Sequence, residues 1–251
     1  MASIINTFDP AVESILNPTH LAKPVDGFPE VVVVTFSRYM LNTLLQHYTC
    51  MTIGNMSDAR MVYETTYQHK PVAFFRASIG APPTVFLMEE AIAMGAKKFL
   101  LFGSCGTLDR QLTDGSIVVP THAYRDEGTS YHYVPADAGE FIDVKTSERT
   151  AEILKEMKVP VVMGKTWTTD ALFRETHRNM ELRKEAGCIT VEMECAGVMA
   201  MAQFRGVDVY QYLYTADNLD AEEWERRSLG ALSASNKERL AKMALEVAVK
   251  L

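Results

Sequence analysis

Lys98-Phe-Leu-Leu-Phe102 runs straight into Gly103-Ser-Cys-Gly106, and this junction decides how the rest of the chain is read. A short unbroken apolar run is the pattern of a strand covered on both faces. The glycines after it mark a strand end or tight turn, in which backbone N–H groups can approach an anion and Ser104 adds a donor. Upstream, Val31–Val34 is a run of the same kind and feeds Arg38–Tyr48, where Tyr39, Leu41, Leu44 and Leu45 recur at helical spacing. Pro71–Ala77 reads as another strand, Ser78–Pro83 as a turn, and the stretch to Met94 as a helix with Val85, Met88, Ala91 and Ile92 on one side. Downstream, Ser116–Pro120 is a strand after the Asp114-Gly115 turn, and the polar residues 126–145 are expected to form a surface excursion. Helix 149–157, strand 160–166, helix 174–186, strand 189–191, helix 194–205 and strand 208–215 then alternate, and 233–251 is expected to be a C-terminal helix. Alternation of buried strands with amphipathic helices predicts an α/β layered domain with a largely parallel sheet. In such sheets ligands bind beyond the carboxyl ends of the strands, so the segments that follow strands are where chemistry is sought.

The bulk properties narrow the function. A chain of 251 residues, 47% apolar and 23% charged, suits one large domain with a real core, or two small ones. Its net charge of −7 and lack of a Lys/Arg cluster argue against nucleic-acid binding. No apolar run approaches the roughly 20 residues of a membrane helix. Residues 1–30 carry Asp9, Glu13 and Asp26 without a basic start, so no signal peptide is expected there. Cys50, Cys105, Cys188 and Cys195 are widely spaced, without a CxxC pair; they are expected to be reduced, mostly buried thiols of a cytoplasmic protein, with no metal site.

Two further strand-end segments carry chemistry. Val191-Glu-Met-Glu-Cys-Ala196 sets Glu192 and Glu194 two apart at a strand-to-helix junction, pointing in different directions. The helix beyond is almost wholly small or apolar, so a Glu at its mouth needs a partner. A sugar diol gripped by Glu194 would supply one; a carboxylate favoured by the helix dipole is the plainer alternative. Asp217, closing the run Val209–Tyr214, is either a proton donor in a dry site or a capping or turn aspartate. No GxGxxG, P-loop or GxSxG is present, which disfavours dinucleotide, nucleotide triphosphate and nucleophile-elbow readings.

In this order and at these spacings, GSCG after KFLLF, VEMECAG and the late Asp217 resemble the nucleoside phosphorylase superfamily, across nearly the whole chain. EGTSYHY (127–133) and TTDALFRET (168–176) resemble its uridine phosphorylase-like branch. The resemblance implies one domain over 1–251 with a three-layer α/β/α fold and a mixed, largely parallel sheet. It implies a pentosyltransferase that cleaves a nucleoside with inorganic phosphate as co-substrate and no cofactor, giving free base and ribose 1-phosphate. It further implies that Met193 packs on the ribose, Glu194 binds its hydroxyls, Glu192 shapes the base and sugar pocket, and Gly80 forms its wall. Leu172 falls near the base, Arg178 where uridine phosphorylases hold the uracil carbonyl, and Ser104 at phosphate. His20 would reach a neighbouring subunit's site, implying a homo-oligomer (dimer or hexamer) with a shared site.

Three positions depart from that pattern. The family's GDPxR phosphate loop reads Val34-Thr-Phe-Ser-Arg38, with Arg38 as its one cation; a second arginine is replaced by Leu101; a third falls near Asp58, with Arg60 as a displaced replacement. Losing two of three arginines removes several kcal/mol of anion binding, about that order. Asp217, meanwhile, matches the acid of purine-cleaving relatives, which leans the base toward purine. Three readings follow: a phosphorylase; a nucleosidase using water on the same scaffold; and a non-catalytic nucleoside-binding protein.

Overall fold

The computed structural model describes residues 4–251; residues 1–3, part of the stretch read above for a leader, lie outside the described residues. Ten strands form the sheet: β1 (Val31–Thr35), β2 (Cys50–Met56), β3 (Arg60–Tyr67), β4 (Lys70–Arg76), β5 (Lys98–Thr107), β6 (Ile117–Asp126), β7 (Phe141–Asp143), β8 (Val161–Thr169), β9 (Cys188–Glu192) and β10 (Asp208–Asn218). The helices are α1 (Pro18–Leu21), α2 (Arg38–His47), α3 (Ala81–Met94), α4 (Ser147–Glu156), α5 (His177–Glu185), α6 (Cys195–Arg205) and α7 (Ala234–Ala248).

The order along the sheet is β10-β6-β8-β9-β5-β1-β4-β3-β2, with β7 on β6, and β5 also pairs with β10. The sheet is mixed: β1 is parallel to β4 and β5, and β5 to β10, whereas β9 meets β5 antiparallel. The apolar runs are explained by helices on both faces. Val32, Val34, Phe99 and Leu101 pack into one cluster with residues of α3 and α6, while Val33, Leu100 and Phe102 pack into another with residues of α2, α4 and α7. This is the three-layer α/β/α arrangement.

The structure corrects several expectations. Gly103–Gly106 is not a turn: these residues continue β5 and pair with Leu213–Asp217 of β10. On one edge their backbone pairs with β10, while the pairing of β5 with β1 stops at Phe102 and that with β9 takes up Gly106 and Thr107. Residues 50–67, for which no element was expected, form the antiparallel hairpin β2–β3, turned through Asp58 and Ala59 at positive φ. The 126–145 excursion is tied down: Glu127, Thr129 and Ser130 are buried, and Arg125 donates to Ser130 Oγ and to the carbonyls of Val134, Pro135 and Gly139. Helix 174–186 begins only at His177, after a 3-10 turn over Leu172–Arg174. Cys105, Cys188 and Cys195 are buried, Cys50 is half-buried, and all four are free thiols.

Candidate functional site

The carboxyl ends of β5, β9 and β10 open into a cavity of about 320 Å³, inside the range of small-molecule sites. Glu175, Glu192, Met193, Glu194, Asp217 and Ser104 all line it. On the floor, β5 and β10 run side by side in register, Ser104 opposite Tyr214 and Gly106 opposite Asp217, with a bulge between Thr215 and Asp217.

Glu192 and Glu194 do different work. Glu192 accepts from Thr168 Oγ1 at 2.6 Å and from the N–H groups of Glu194 (2.8 Å) and Cys195 (2.7 Å), so both its oxygens serve the protein. It ties the end of β8 to the first turn of α6, where unpaired N–H groups welcome a carboxylate. Glu194, 7% exposed at the N-cap of α6, accepts from Gly80 N–H at 2.7 Å and also takes a backbone hydrogen bond from Met193. Gly80 has φ 106°, a conformation natural to glycine, and this aims its N–H at the carboxylate. Burial, and after it the charge of Glu192, pushes Glu194 up to about 8, while burial pushes Glu192 up to about 7 against its hydrogen bonds. Glu194 is thus a buried carboxyl group facing a cavity with hydrogen-bonding capacity left over.

Asp217 is neither a cap nor a turn residue. It sits in β10 and accepts from Trp224 Nε1 at 2.9 Å through Oδ2. Burial raises it above the ordinary aspartate value, opposed by Trp224 and by the charge of Arg227.

The other expected site residues are spread more widely. Leu172 lines the cavity from its exposed turn. Gly80 acts through its N–H on Glu194. His20 is exposed on α1 and takes Asn17 N–H on Nδ1; it does not line the cavity of its own chain. Arg178 is exposed on α5, also outside the lining. Arg38 is exposed at the start of α2, and its neighbours Ser37 and Tyr39 line the cavity instead. Arg60 binds Ser78 Oγ (2.7 Å) and Asp58 (2.8 Å), off the cavity.

Among the described residues lining the cavity there is no arginine; its one cation is Lys237, whose Nζ lies 4.3 Å from the Tyr39 ring centroid. Where the family pattern has its phosphate loop, the Phe36 ring lies so close to Gly103 that a Cβ there would stand 3.0 Å from Phe36 Cδ2. Sequence reasoning missed Phe36, Glu175, Trp224 and Lys237. It also missed Arg76, at the end of β4, which burial and the charges of Arg60 and Arg38 push below the usual arginine value. Glu175 lay within the TTDALFRET stretch but carried no signal of its own.

A second groove of about 500 Å³ lies where the segment around α1 meets α3. Its acids are already used: Glu89 pairs with Arg205 and accepts from Tyr133, and Glu90 holds Ser57. No helix among the described residues is long and apolar enough to cross a membrane, and no cluster of three metal-ligating side chains occurs among them.

A three-layer α/β/α fold with a cavity at its strand ends, lined by four carboxyl groups among other polar side chains, defines a small-molecule site. The chain belongs to the phosphorylase superfamily, whose profile matches residues 30–248. It is 25% identical over 146 residues to a guanosine phosphorylase of Halorubrum lacusprofundi, covering 58% of this chain and 61% of that protein. It is 25% identical over 152 residues to the uridine phosphorylase of Escherichia coli, covering 55% of this chain and 60% of that one. These matches span about three fifths of either relative. In fold, the chain is similar to the crystal structure of purine nucleoside phosphorylase from Toxoplasma gondii in complex with immucillin-H, with a TM-score of 0.74 at 19% identity over 96% of this chain and 97% of that one.

Proposed function

We propose that the chain is an enzyme that cleaves the N-glycosidic bond of a nucleoside, purine preferred, with water as the acceptor. The observation that carries this reading is the lack of arginine: among the described residues lining the cavity Lys237 is the one cation. A doubly charged phosphate taken out of water needs charge-assisted donors to offset its desolvation. Nothing among the lining side chains offers the paired guanidinium donors that would offset this. Water carries no such cost.

Under this reading Glu194 accepts hydrogen bonds from the ribose hydroxyls and Met193 packs on the sugar. Cleavage through an oxocarbenium-like state leaves negative charge on the base. Asp217 supplies a proton to it, at N7 for a purine, an assistance typically worth about 10²–10⁴ in rate. Glu192 fixes the turn that carries Glu194.

Phosphorolysis is the second reading, favoured by the Ser104 hydroxyl and Lys237 facing the cavity and by the named relatives. It requires arginine from a second copy of the chain, with His20 arriving the same way in a homo-oligomer. One experiment decides: base release from purine nucleosides and uridine, with and without phosphate, scored also for ribose 1-phosphate. Full-rate release without phosphate supports the hydrolytic reading. Release only with phosphate, forming ribose 1-phosphate, overturns it in favour of phosphorolysis, and tight binding without release favours the non-catalytic binder.

A further inference from the structure

Trp224 is 56% exposed, yet its indole Nε1 donates to Asp217 Oδ2 at 2.9 Å. It is carried by the strap between β10 and α7, which folds back along β10. Asn218 and Glu225 exchange backbone hydrogen bonds at 2.9 and 3.1 Å, and Asn218 Nδ2 donates to Glu225 Oε2 at 2.8 Å. Leu229 N–H reaches the Ala216 carbonyl at 2.9 Å, Arg227 Nη1 the Leu112 carbonyl at 2.8 Å, and Lys184 Nζ holds Asp220 at 2.6 Å. Further along, the strap lines the cavity through Leu229, Gly230 and Leu232. A loop pinned at so many points holds the indole in one place.

The two oxygens of Asp217 are thereby made unlike. An indole N–H only donates, so the oxygen it meets serves as acceptor and the acid proton is directed to the other. That other oxygen, Oδ1, takes no hydrogen bond from the described residues. It lies over Gly106 on the cavity floor, 3.3 Å from where a Cβ on that glycine would stand. The charged and titratable groups around Asp217 do not duplicate the indole. Arg227 acts on it from a guanidinium tied to Glu225 and Leu112, while Glu175 on the flanking turn and the buried Cys105 thiol of β5 feel its charge. Glu192 and Glu194 at the mouth of α6 are bound to Thr168 and Gly80, and Lys237 of α7 lies against Tyr39.

We propose that Trp224 is a positioning residue for departure of the base: its N–H keeps Asp217 Oδ2 as the acceptor, directs the acid proton to Oδ1 above the cavity floor, and meets the charge left on Asp217 when that proton goes. In the step it serves, the C1′–N bond breaks with its electron pair going to the base. The Oδ1–H bond breaks as an N–H bond forms on the base. Water adds to C1′, and the proton it releases restores the Asp217 carboxyl group. A hydrogen bond to a charged group is roughly twice as strong as one to a neutral group, so the Trp224 bond tightens as the charge develops and favours the transition state. The hydrogen bond rests on the strap geometry; its consequence for turnover rests on the glycosidic reading above.

The chain has two tryptophans, Trp167 and Trp224, so the ¹⁵N-labelled full chain gives two indole N–H resonances by NMR, which Trp224→Phe assigns. Across pH, the Trp224 resonance is expected to titrate with the midpoint of the alkaline limb of kcat on purine nucleosides, and to lose that titration in Asp217→Asn. In Trp224→Phe, kcat on the acid side of the limb should fall about five- to tenfold with KM within about twofold, and the two chains should draw together above the limb. Benzothienylalanine at position 224, which keeps the indole shape with sulfur in place of the N–H, should behave as Phe does. The strap keeps its Asn218–Glu225 and Leu229–Ala216 bonds, so thermal unfolding of these variants should match the parent chain. A Trp224 resonance indifferent to Asp217 overturns the hydrogen bond, whatever the activity. Parental kcat with benzothienylalanine overturns the positioning role and leaves the indole as packing. A titrating resonance in a chain that releases no base from any nucleoside sustains the bond and sinks the glycosidic reading instead.

Discussion

Replacing Glu194 by glutamine separates the sugar-binding role of this residue from its structural one. The carboxylate accepts from Gly80 N–H at 2.7 Å and also takes a backbone hydrogen bond from Met193, and the amide oxygen of glutamine accepts the Gly80 bond equally well. Above about pH 8, where Glu194 is ionised, two ribose hydroxyls on the carboxylate make charge-assisted hydrogen bonds of about 1.5–3 kcal/mol each, against about 0.5–1.5 kcal/mol for a neutral acceptor. The net loss is about 2–4 kcal/mol of transition-state binding, or roughly 30- to 1000-fold in kcat/KM. The melting temperature should hold or rise, because the like charge beside Glu192 is removed. Glu194→Ala should lose activity to at least the same extent and also orphan Gly80 N–H, costing about 1–3 kcal/mol. For a chain of this size that is roughly 2–12 °C in Tm. Steady-state base release and calorimetry on both variants measure the two effects independently. A Glu194→Gln variant with parental kcat/KM on every nucleoside cleaved would remove the carboxylate from the sugar.

Three other outcomes are expected. Glu175, Glu192 and Glu194 have folded pKa values above the ordinary 4.5, at about 8, 7 and 8, so between about pH 4.5 and 8 the folded chain binds more protons than the unfolded one. Their contribution to stability is full below that window and lost as pH rises through it; Tm measured from pH 5 to 8.5 should fall, less steeply in Glu194→Gln, and a rise from these groups would contradict the assignment. Trp224→Phe removes the donor to Asp217 Oδ2 that favours the ionised form, so the alkaline limb of purine turnover should move to higher pH, and a downward movement would count against Asp217 as the acid. Gly164→Ala would press its Cβ into Ile189, overlapping Cδ1 and standing 2.7 Å from Cγ1. Such overpacking costs about 1–3 kcal/mol, which trimming Ile189 to Val should partly recover in the same thermal unfolding measurement.

The parts of the fold that could be read from the sequence are those whose burial is two-sided. Val31–Val34 and Lys98–Phe102 announce themselves because helices cover both faces. The hairpin β2–β3 stayed hidden for the converse reason. It lies at the sheet edge, its residues are half-exposed, and its turn uses Asp58 and Ala59 at positive φ rather than glycine. The glycines of Gly103–Gly106 misled because a turn is not what they serve. Gly103 leaves room for Phe36, and Gly106 for Leu219, Val191 and Asp217. Glu127–Ser130 read as surface because a buried polar stretch held by hydrogen bonds has the composition of a loop. In the site, Ser104, Glu194 and Asp217 were legible since they sit at strand ends, where the fold class directs attention. Glu175 and Trp224 come from a turn and a loop without periodicity, and only coordinates join them to Asp217. The arginines Arg38 and Arg60 could be counted along the chain but not aimed.

The pairing of β5 with β10 gives the cavity a fixed gauge. Ser104 and Asp217 stand at opposite ends of a two-residue step on hydrogen-bonded parallel strands, which fixes their offset along the strands at about 6.6 Å. The bulge between Thr215 and Asp217 takes up the extra residue on β10, so the two side chains keep that offset at the cavity floor. The flanking turn at Leu172–Glu175 carries no such restraint. Divergence from this scaffold should therefore change the shape of the Leu172–Glu175 side of the cavity readily, by exchanges in four adjacent positions, while the strand-end side stays fixed.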